Sequence, residues 1–282
     1  MKTQKILVLG GTGKTGRRVA ERLIQLGENV RIGSRRAEPP FDWHKPEGWE
    51  AVLDKVDSVY ITFQPDLAVP GTRQIMEKFI STAVKVKVQK MVLLSGKGEK
   101  EAELCEQILM ETGVDWTIVR ASWFNQNFNE SFFLDPILAG HLALPKADVP
   151  VPYVDADDIA DVVVETLLNN KHTGQIYELT GPRQLTFEQV ADEISAATGR
   201  TVHFHSITAE EYTKVLREAH VPEDYIWLID YLFTEVLNEE NSGVSGDIEK
   251  VLGRKAKDFT EYARETAATG IWHPKSEVGV IN

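Results

Sequence analysis

The sequence predicts a doubly wound α/β domain on a parallel sheet, followed by a smaller, mostly helical lobe. Three observations predict it. An apolar run, Lys5-Ile6-Leu7-Val8-Leu9, enters a glycine-rich turn, Gly10-Gly11-Thr12-Gly13-Lys14-Thr15-Gly16. Short apolar segments then alternate with helix-period segments through the first half, the pattern of a parallel sheet covered on both faces. From Pro182 onward helix-period segments dominate.

The elements follow in order. Arg17 to Leu26 reads as a helix, with Val19, Ala20, Leu23, Ile24 and Leu26 roughly on one face. Asn29 to Ser34 is the second strand. Pro39-Pro40-Phe41-Asp42-Trp43 reads as a short third strand at the sheet edge, where prolines are tolerated. A short helix around Gly48 to Leu53 leads to a fourth strand, Ser58 to Phe63. A helix from about Gly71 to Val84, a fifth strand from Lys90 to Ser95 and a helix from about Lys100 to Glu111 come next. Trp116 to Arg120 is the sixth strand.

Beyond Ser122 the pattern changes, and Trp123 to Leu144 is rich in aromatics and amides. A helix runs from Asp157 or Asp158 to about Leu168, capped by Asp155 or Asp157. Gln175 to Leu179 is the last strand of the main sheet. Thr186 to Thr198, Ala209 to Ala219 and Tyr225 to Asn238 are helices. Thr186-Phe187-Glu188-Gln189 resembles a capping box with its acceptor one residue off the strict spacing. Residues 274–282 read as a tail. The expected division is 1–182 for a Rossmann-type dinucleotide-binding domain and 183–282 for a helical lobe on the substrate side.

The glycines at positions 10, 13 and 16 suit a dinucleotide. Gly10 permits the tight turn, Gly13 lets backbone approach a pyrophosphate, and Gly16 allows close helix–strand packing. The helix N-terminus then offers unpaired N–H groups to the phosphates. A phosphate loop of the nucleotide-hydrolase type is excluded. It needs a glycine five residues before Gly13, and that position is Val8.

Composition narrows the classes. With 42% hydrophobic residues the chain can build a sizeable core. A net charge of −12 argues against general binding to nucleic acid or an anionic membrane surface. One cysteine, Cys105, forbids an intrachain disulfide and fits the cytoplasm. No signal peptide and no membrane-spanning run is expected.

The end of the second strand reads Gly33-Ser34-Arg35-Arg36, with no acid in the turn until Glu38. An acid there would bind the ribose hydroxyls of NAD. A hydroxyl and two guanidiniums favour the 2′-phosphate of NADP, with NAD the other option. The acid–base pair common in reductases of this fold, a tyrosine with a lysine four residues later, is absent at all seven tyrosines. Nucleotide-sugar epimerase chemistry, which needs that pair, is ranked low for the same reason.

These residues, with Leu94-Ser95-Gly96, Trp116-Thr117-Ile118-Val119-Arg120, Trp123-Phe124-Asn125-Gln126-Asn127-Phe128 and Tyr153-Val154-Asp155-Ala156-Asp157-Asp158-Ile159-Ala160, resemble the NmrA-like branch of the atypical short-chain dehydrogenase/reductases. The resemblance spans about residues 5–200. That branch includes quinone reductases, triphenylmethane-dye reductases and redox-sensing regulators that bind NADP without turnover. The resemblance implies that Thr12, Lys14 and Thr15 hold the pyrophosphate together with the glycines. Arg35, Arg36 and Ser34 would hold the adenosine phosphate, and Asp42 would lie near the adenine. Thr62, Phe63 and Gln64, after the fourth strand, would border the nicotinamide ribose, with Ser95 also on the cofactor side. Phe124 and Asn127, after the sixth strand, would meet the acceptor or the nicotinamide. Two functions follow. One is reduction of a flat conjugated small molecule by direct hydride transfer. The other is a sensor that passes cofactor occupancy to a protein partner. A monomer or a homodimer fits either.

Four further groups have bland readings. Glu103 and Glu106, three apart after the fifth strand, read as a solvated helix face rather than proton carriers. Cys105 reads as a small buried hydrophobe. His203 and His205 alternate on a strand but lack a third ligand nearby, so no metal is expected. Trp227, Tyr231 and Phe233 read as lobe core, with an aromatic lid over a flat acceptor as the other option.

Overall fold

The computed structural model describes residues 4–274, so the tail expected at 274–282 lies, past Pro274, outside the described residues. β1 (Lys5–Leu9), α1 (Lys14–Gln25) and β2 (Asn29–Gly33) make the first unit. α2 (Trp49–Leu53), β3 (Ser58–Ile61), α3 (Thr72–Lys85), β4 (Lys90–Gly96), α4 (Lys100–Met110) and β5 (Asp115–Ala121) continue the alternation. A 3₁₀ turn (Asn125–Phe128), α5 (Leu134–Ala139), β6 (His141–Leu144), α6 (Ala156–Leu168) and β7 (Gln175–Leu179) follow. The rest is α7 (Phe187–Thr198), β8 (His203–Ser206), α8 (Ala209–Glu218), α9 (Glu223–Tyr231), α10 (Asp247–Leu252) and α11 (Phe259–Ala268).

Six strands pair in parallel in the order β2-β1-β3-β4-β5-β7. The winding reverses between β1 and β3, which makes the crevice at their carboxyl ends the topological switch point. Alternation along β1 splits the core. Ile6 and Val8 pack with α1 and α6 through Val19, Leu23, Ile159 and Val163. Leu7 and Leu9 pack on the opposite face with α2, α3 and α4 through Trp49, Phe79, Cys105 and Leu109. Cys105 is fully buried, as expected. A third cluster joins Phe128, Leu142, Leu144 and Tyr153 to Phe187, Phe233, Phe259 and Trp272. β6 and β8 pair beside it as a small parallel ribbon.

Three local expectations are corrected. No strand forms at Pro39–Trp43. Two successive prolines cannot donate to a ladder. The segment instead folds back, with the Phe41 N–H on the Ser34 carbonyl at 2.9 Å. Phe41 and Trp43 pack edge-on at 4.8 Å and seal the base of α2 and α3. β2 is therefore the edge strand. The strands before Thr62 and before Phe124 are the third and fifth, not the fourth and sixth. Secondly, the capping box of α7 has strict spacing. Thr186 accepts from the Gln189 N–H at 3.2 Å, and the Gln189 side chain accepts from the Thr186 N–H at 2.9 Å. Thirdly, Glu106 is not on a solvated face. It is fully buried beneath β4 and β5.

Asp155 is the cap of α6, accepting from the Asp157 N–H at 2.8 Å. No described helix is long and apolar enough to cross a membrane.

Candidate functional site

The site is built where β1 ends. Gly10 sits at φ +60, a conformation that disfavours any side chain, and its carbonyl accepts from the Gly13 N–H at 2.8 Å. Gly16 lies so close that a Cβ there would stand 2.2 Å from the Gly10 carbonyl oxygen. Only glycine lets α1 approach the turn this closely. Gly13 is the N-cap of α1 and offers no side-chain cap, so the first N–H groups of the helix stay open to a ligand. Thr12 and Gly13 are exposed on the rim.

Lys14 begins α1 and reaches across the cleft. Its Nζ donates to Asn127 Oδ1 at 2.9 Å, joining the glycine loop to the 3₁₀ turn after β5. Burial lowers the Lys14 amine to about 8, against a smaller upward pull from Glu130. Because Asn127 accepts through its oxygen, its amide NH₂ is left to donate elsewhere. Phe124, half-buried, bridges to Val154 and packs against the α1–α6 side of the sheet. The loop, Lys14, Phe124 and Asn127 thus line one end of the sheet.

Other expected residues have fixed places. Thr62 lies against the turn, its Cγ2 only 2.7 Å from where a Gly10 Cβ would be. Phe63 is buried and packs on Trp43 at 4.9 Å, while Gln64 is exposed. Arg35 and Arg36 stand exposed at the end of β2, and neither bonds another described side chain or carbonyl. Asp42 accepts from the His44 N–H at 2.9 Å and shapes the following turn. Two hydroxyls turn inward. Thr15 meets the Tyr60 hydroxyl at 2.9 Å, and Ser95 donates to Glu106 at 2.6 Å.

Several contacts were not legible in the sequence. Glu106 accepts from both Arg120 Nε, at 2.9 Å, and Arg120 Nη2, at 2.6 Å. Arg18 and Arg22, one turn apart on α1, meet Asp157 and Asp161, one turn apart on α6. Arg17 and Arg18 both reach Glu130, at 2.8 and 2.7 Å. The fourfold spacing of arginines on one helix and of aspartates on another was the available signal; nothing in it says which helices meet. Phe233 is buried core, but Trp227 is exposed and stacks on Tyr231. His203 and His205 are exposed, and no metal-ligating cluster occurs among the described residues.

The model of the NmrA-like family matches residues 40–267. An NAD(P)H azoreductase of Xenophilus azovorans is 30% identical over 286 residues, covering 93% of this chain and 98% of that protein. Prestalk A differentiation protein A of Dictyostelium discoideum is 28% identical over 279 residues, covering 93% and 92%. Among solved structures, the Citrobacter sp. triphenylmethane reductase complexed with NADP(H) superposes with a TM-score of 0.75 at 19% identity, covering 93% of this chain and 99% of that one.

Proposed function

The chain belongs to the NmrA-like family, and on that premise we propose that it is an NADPH-dependent reductase passing hydride directly to a quinone-like or other conjugated acceptor. Its broader class, NAD(P)-dependent oxidoreductase, is that of curated relatives such as the azoreductase. The observation that supports the reading best is the uncapped start of α1 beside a desolvated lysine whose only described hydrogen-bond acceptor is a neutral amide. A desolvated cation beside open N–H groups suits a pyrophosphate.

The residues fit the cofactor at each part. The open backbone N–H groups of Lys14 and Thr15, at the start of α1, and the Lys14 amine hold the pyrophosphate. Arg35 and Arg36, with Ser34, hold the 2′-phosphate, and Asp42 borders the adenine. Thr62, Phe63 and Gln64 wall the nicotinamide ribose. Ser95 stands on the neighbouring strand β4, its hydroxyl committed to Glu106. A bound reduced nicotinamide supplies hydride from C4. Phe124 stacks on the acceptor, and Asn127, oriented by Lys14, donates to it. Such a reaction needs position and exclusion of water more than an acid–base dyad of tyrosine and lysine. The single buried cysteine suits a cytoplasmic site of action.

Two results follow. Arg35→Ala weakens NADPH binding about 10- to 100-fold, the range for a lost charge-assisted contact, and leaves NADH binding nearly unchanged. Parallel titrations of the two cofactors check this. Cofactor affinity also falls as pH rises through about 8, because the phosphates require the protonated Lys14 amine. Lys14→Met binds weakly at neutral pH and loses that pH dependence. The function is tested by following NADPH absorbance with a panel of quinones and triphenylmethane dyes. Acceptor-dependent oxidation supports the reductase. Tight binding without turnover across the panel supports the alternative, a redox sensor acting through a protein partner.

A further inference from the structure

Two carboxyl groups meet at the carboxyl ends of the two central strands, outside the residues assigned above. Asp66 lies in the loop after β3, four residues beyond Thr62. Glu99 is the N-cap of α4, three residues beyond the end of β4. The two side chains lie against each other, and a hydrogen bond between two carboxyl groups uses one shared proton. Asp66 Oδ1 also accepts from the Ala68 N–H at 2.9 Å. The Glu99 carboxyl is folded over Gly96, where a Cβ would lie 1.9 Å from its Oε1. Glu99 is only 7% exposed, and no N–H or hydroxyl among the described residues donates to its Oε2. Asp66 is half-buried, the more exposed residue of the two.

A second feature beside the pair points to a ligand. The Tyr231 hydroxyl lies at the start of the same helix, near Glu99 and Glu101. Trp227 lies flat on Tyr231, with centroids 5.5 Å apart and planes within 4°. The outer indole is 41% exposed. α9 therefore holds an open aromatic plate next to the carboxyl pair. Its open face suits the stacking of a planar conjugated molecule.

We propose that the Asp66–Glu99 pair is the proton donor that completes reduction of a quinone-like acceptor. The assignment rests on the reductase reading and fills the role left by the missing tyrosine–lysine pair. The acceptor takes a hydride, two electrons and one proton, from the reduced nicotinamide, which becomes oxidised. The new electron pair on the acceptor's oxygen takes the shared proton through Asp66. The pair is left doubly ionised and regains one proton from water. Burial, then the adjoining Asp66 carboxylate, then Glu106 all push Glu99 well above the usual carboxylate range, the direction a proton donor needs.

Two acceptors separate this role from a structural one. Reduction of 2-methyl-1,4-naphthoquinone needs a proton. Reduction of a cationic triphenylmethane dye does not, because hydride alone yields the neutral product. Glu99→Gln keeps the shape and the contact with Asp66 but carries no transferable proton. The expected result is a loss of about 100-fold in quinone turnover, the lower range for general acid catalysis, with dye turnover and NADPH affinity unchanged. Asp66→Asn behaves likewise. In wild type, a solvent deuterium isotope effect appears with the quinone and not with the dye. Infrared spectra of the cofactor-free protein show a protonated carboxyl band at neutral pH that both variants lose. Equal slowing of both acceptors in a variant that binds NADPH overturns the proposal and leaves the reductase reading intact. So does a wild type without the isotope effect or the infrared band. A wild type that reduces neither acceptor removes the reductase reading, and the proton-donor role falls with it.

Discussion

A Gly16→Ala protein is expected to fold less stably and to lose NADPH binding. The added Cβ would stand 2.2 Å from the Gly10 carbonyl oxygen and 2.6 Å from its carbon. Both neighbours are backbone, so no side chain can rotate away. Either α1 moves off the sheet or the turn opens. The first exposes Val19, Ala20 and Leu23, which are buried against β1. The second breaks the Gly13-to-Gly10 hydrogen bond and re-aims the open N–H groups. Overpacking of this kind costs about 1–3 kcal/mol. The same displacement reaches the binding groups directly, so affinity falls by about 10- to 100-fold. A thermal melt and a fluorescence titration check the two effects. Native affinity in the variant would show that the turn does not hold the cofactor.

The second large effect is on stability. Glu106 is fully buried and accepts from Ser95 and from two nitrogens of Arg120. Glu106→Ala leaves Arg120 without its principal partner, with Glu103 at 3.5 Å. It also strips the Ser95 hydroxyl of its acceptor and opens a void between α4 and the sheet. Removing one partner of a buried ion pair costs about 3–5 kcal/mol, and the partial exposure of Arg120 places this case at about 3 kcal/mol. Glu106→Gln keeps the volume and one acceptor, so it is expected to cost less. Chemical denaturation of the two variants beside wild type gives the comparison. A Glu106→Ala protein as stable as wild type would mean that Arg120 finds another partner.

The sheet was legible because its signals are local. Ile6 to Leu9 is an apolar run, and the glycines that follow have positions only a tight strand–turn–helix can use. β3, β4 and β5 read the same way, each short, apolar and bounded by turns. Pro39 to Trp43 failed because aromatic and β-edge composition looks the same whether a segment pairs or folds back. The missing N–H groups of two successive prolines decided it, together with the room for Phe41 and Trp43 beneath α3. Glu106 failed because period alone cannot say whether an acid on a helix faces water or a distant arginine. Arg120 lies on the next strand, and only the β4–β5 register brings it under α4.

The candidate site was legible in part for the same reason. The glycine loop announces itself within seven residues. The link from Lys14 to Asn127 spans 113 positions, and the Asp66–Glu99 contact joins two separate loops. Such meetings come from the strand order β1-β3-β4-β5, which gathers loops from distant parts of the chain at one end of the sheet. Ser95 and Thr15 show the converse. Both sit in the right segment, yet Glu106 and Tyr60 draw their hydroxyls into the core.

The central claim is direct hydride transfer within a cleft formed by the glycine loop, Phe124 and Asn127. Its most direct test uses NADPH deuterated at the transferable C4 position, with a cationic triphenylmethane dye as acceptor and mass spectrometry of the product. The account predicts one deuterium on the central carbon of the reduced dye and none when ordinary NADPH is used in deuterated water. Tight NADPH binding with no reduced dye, or a product whose new hydrogen comes from solvent, would contradict it.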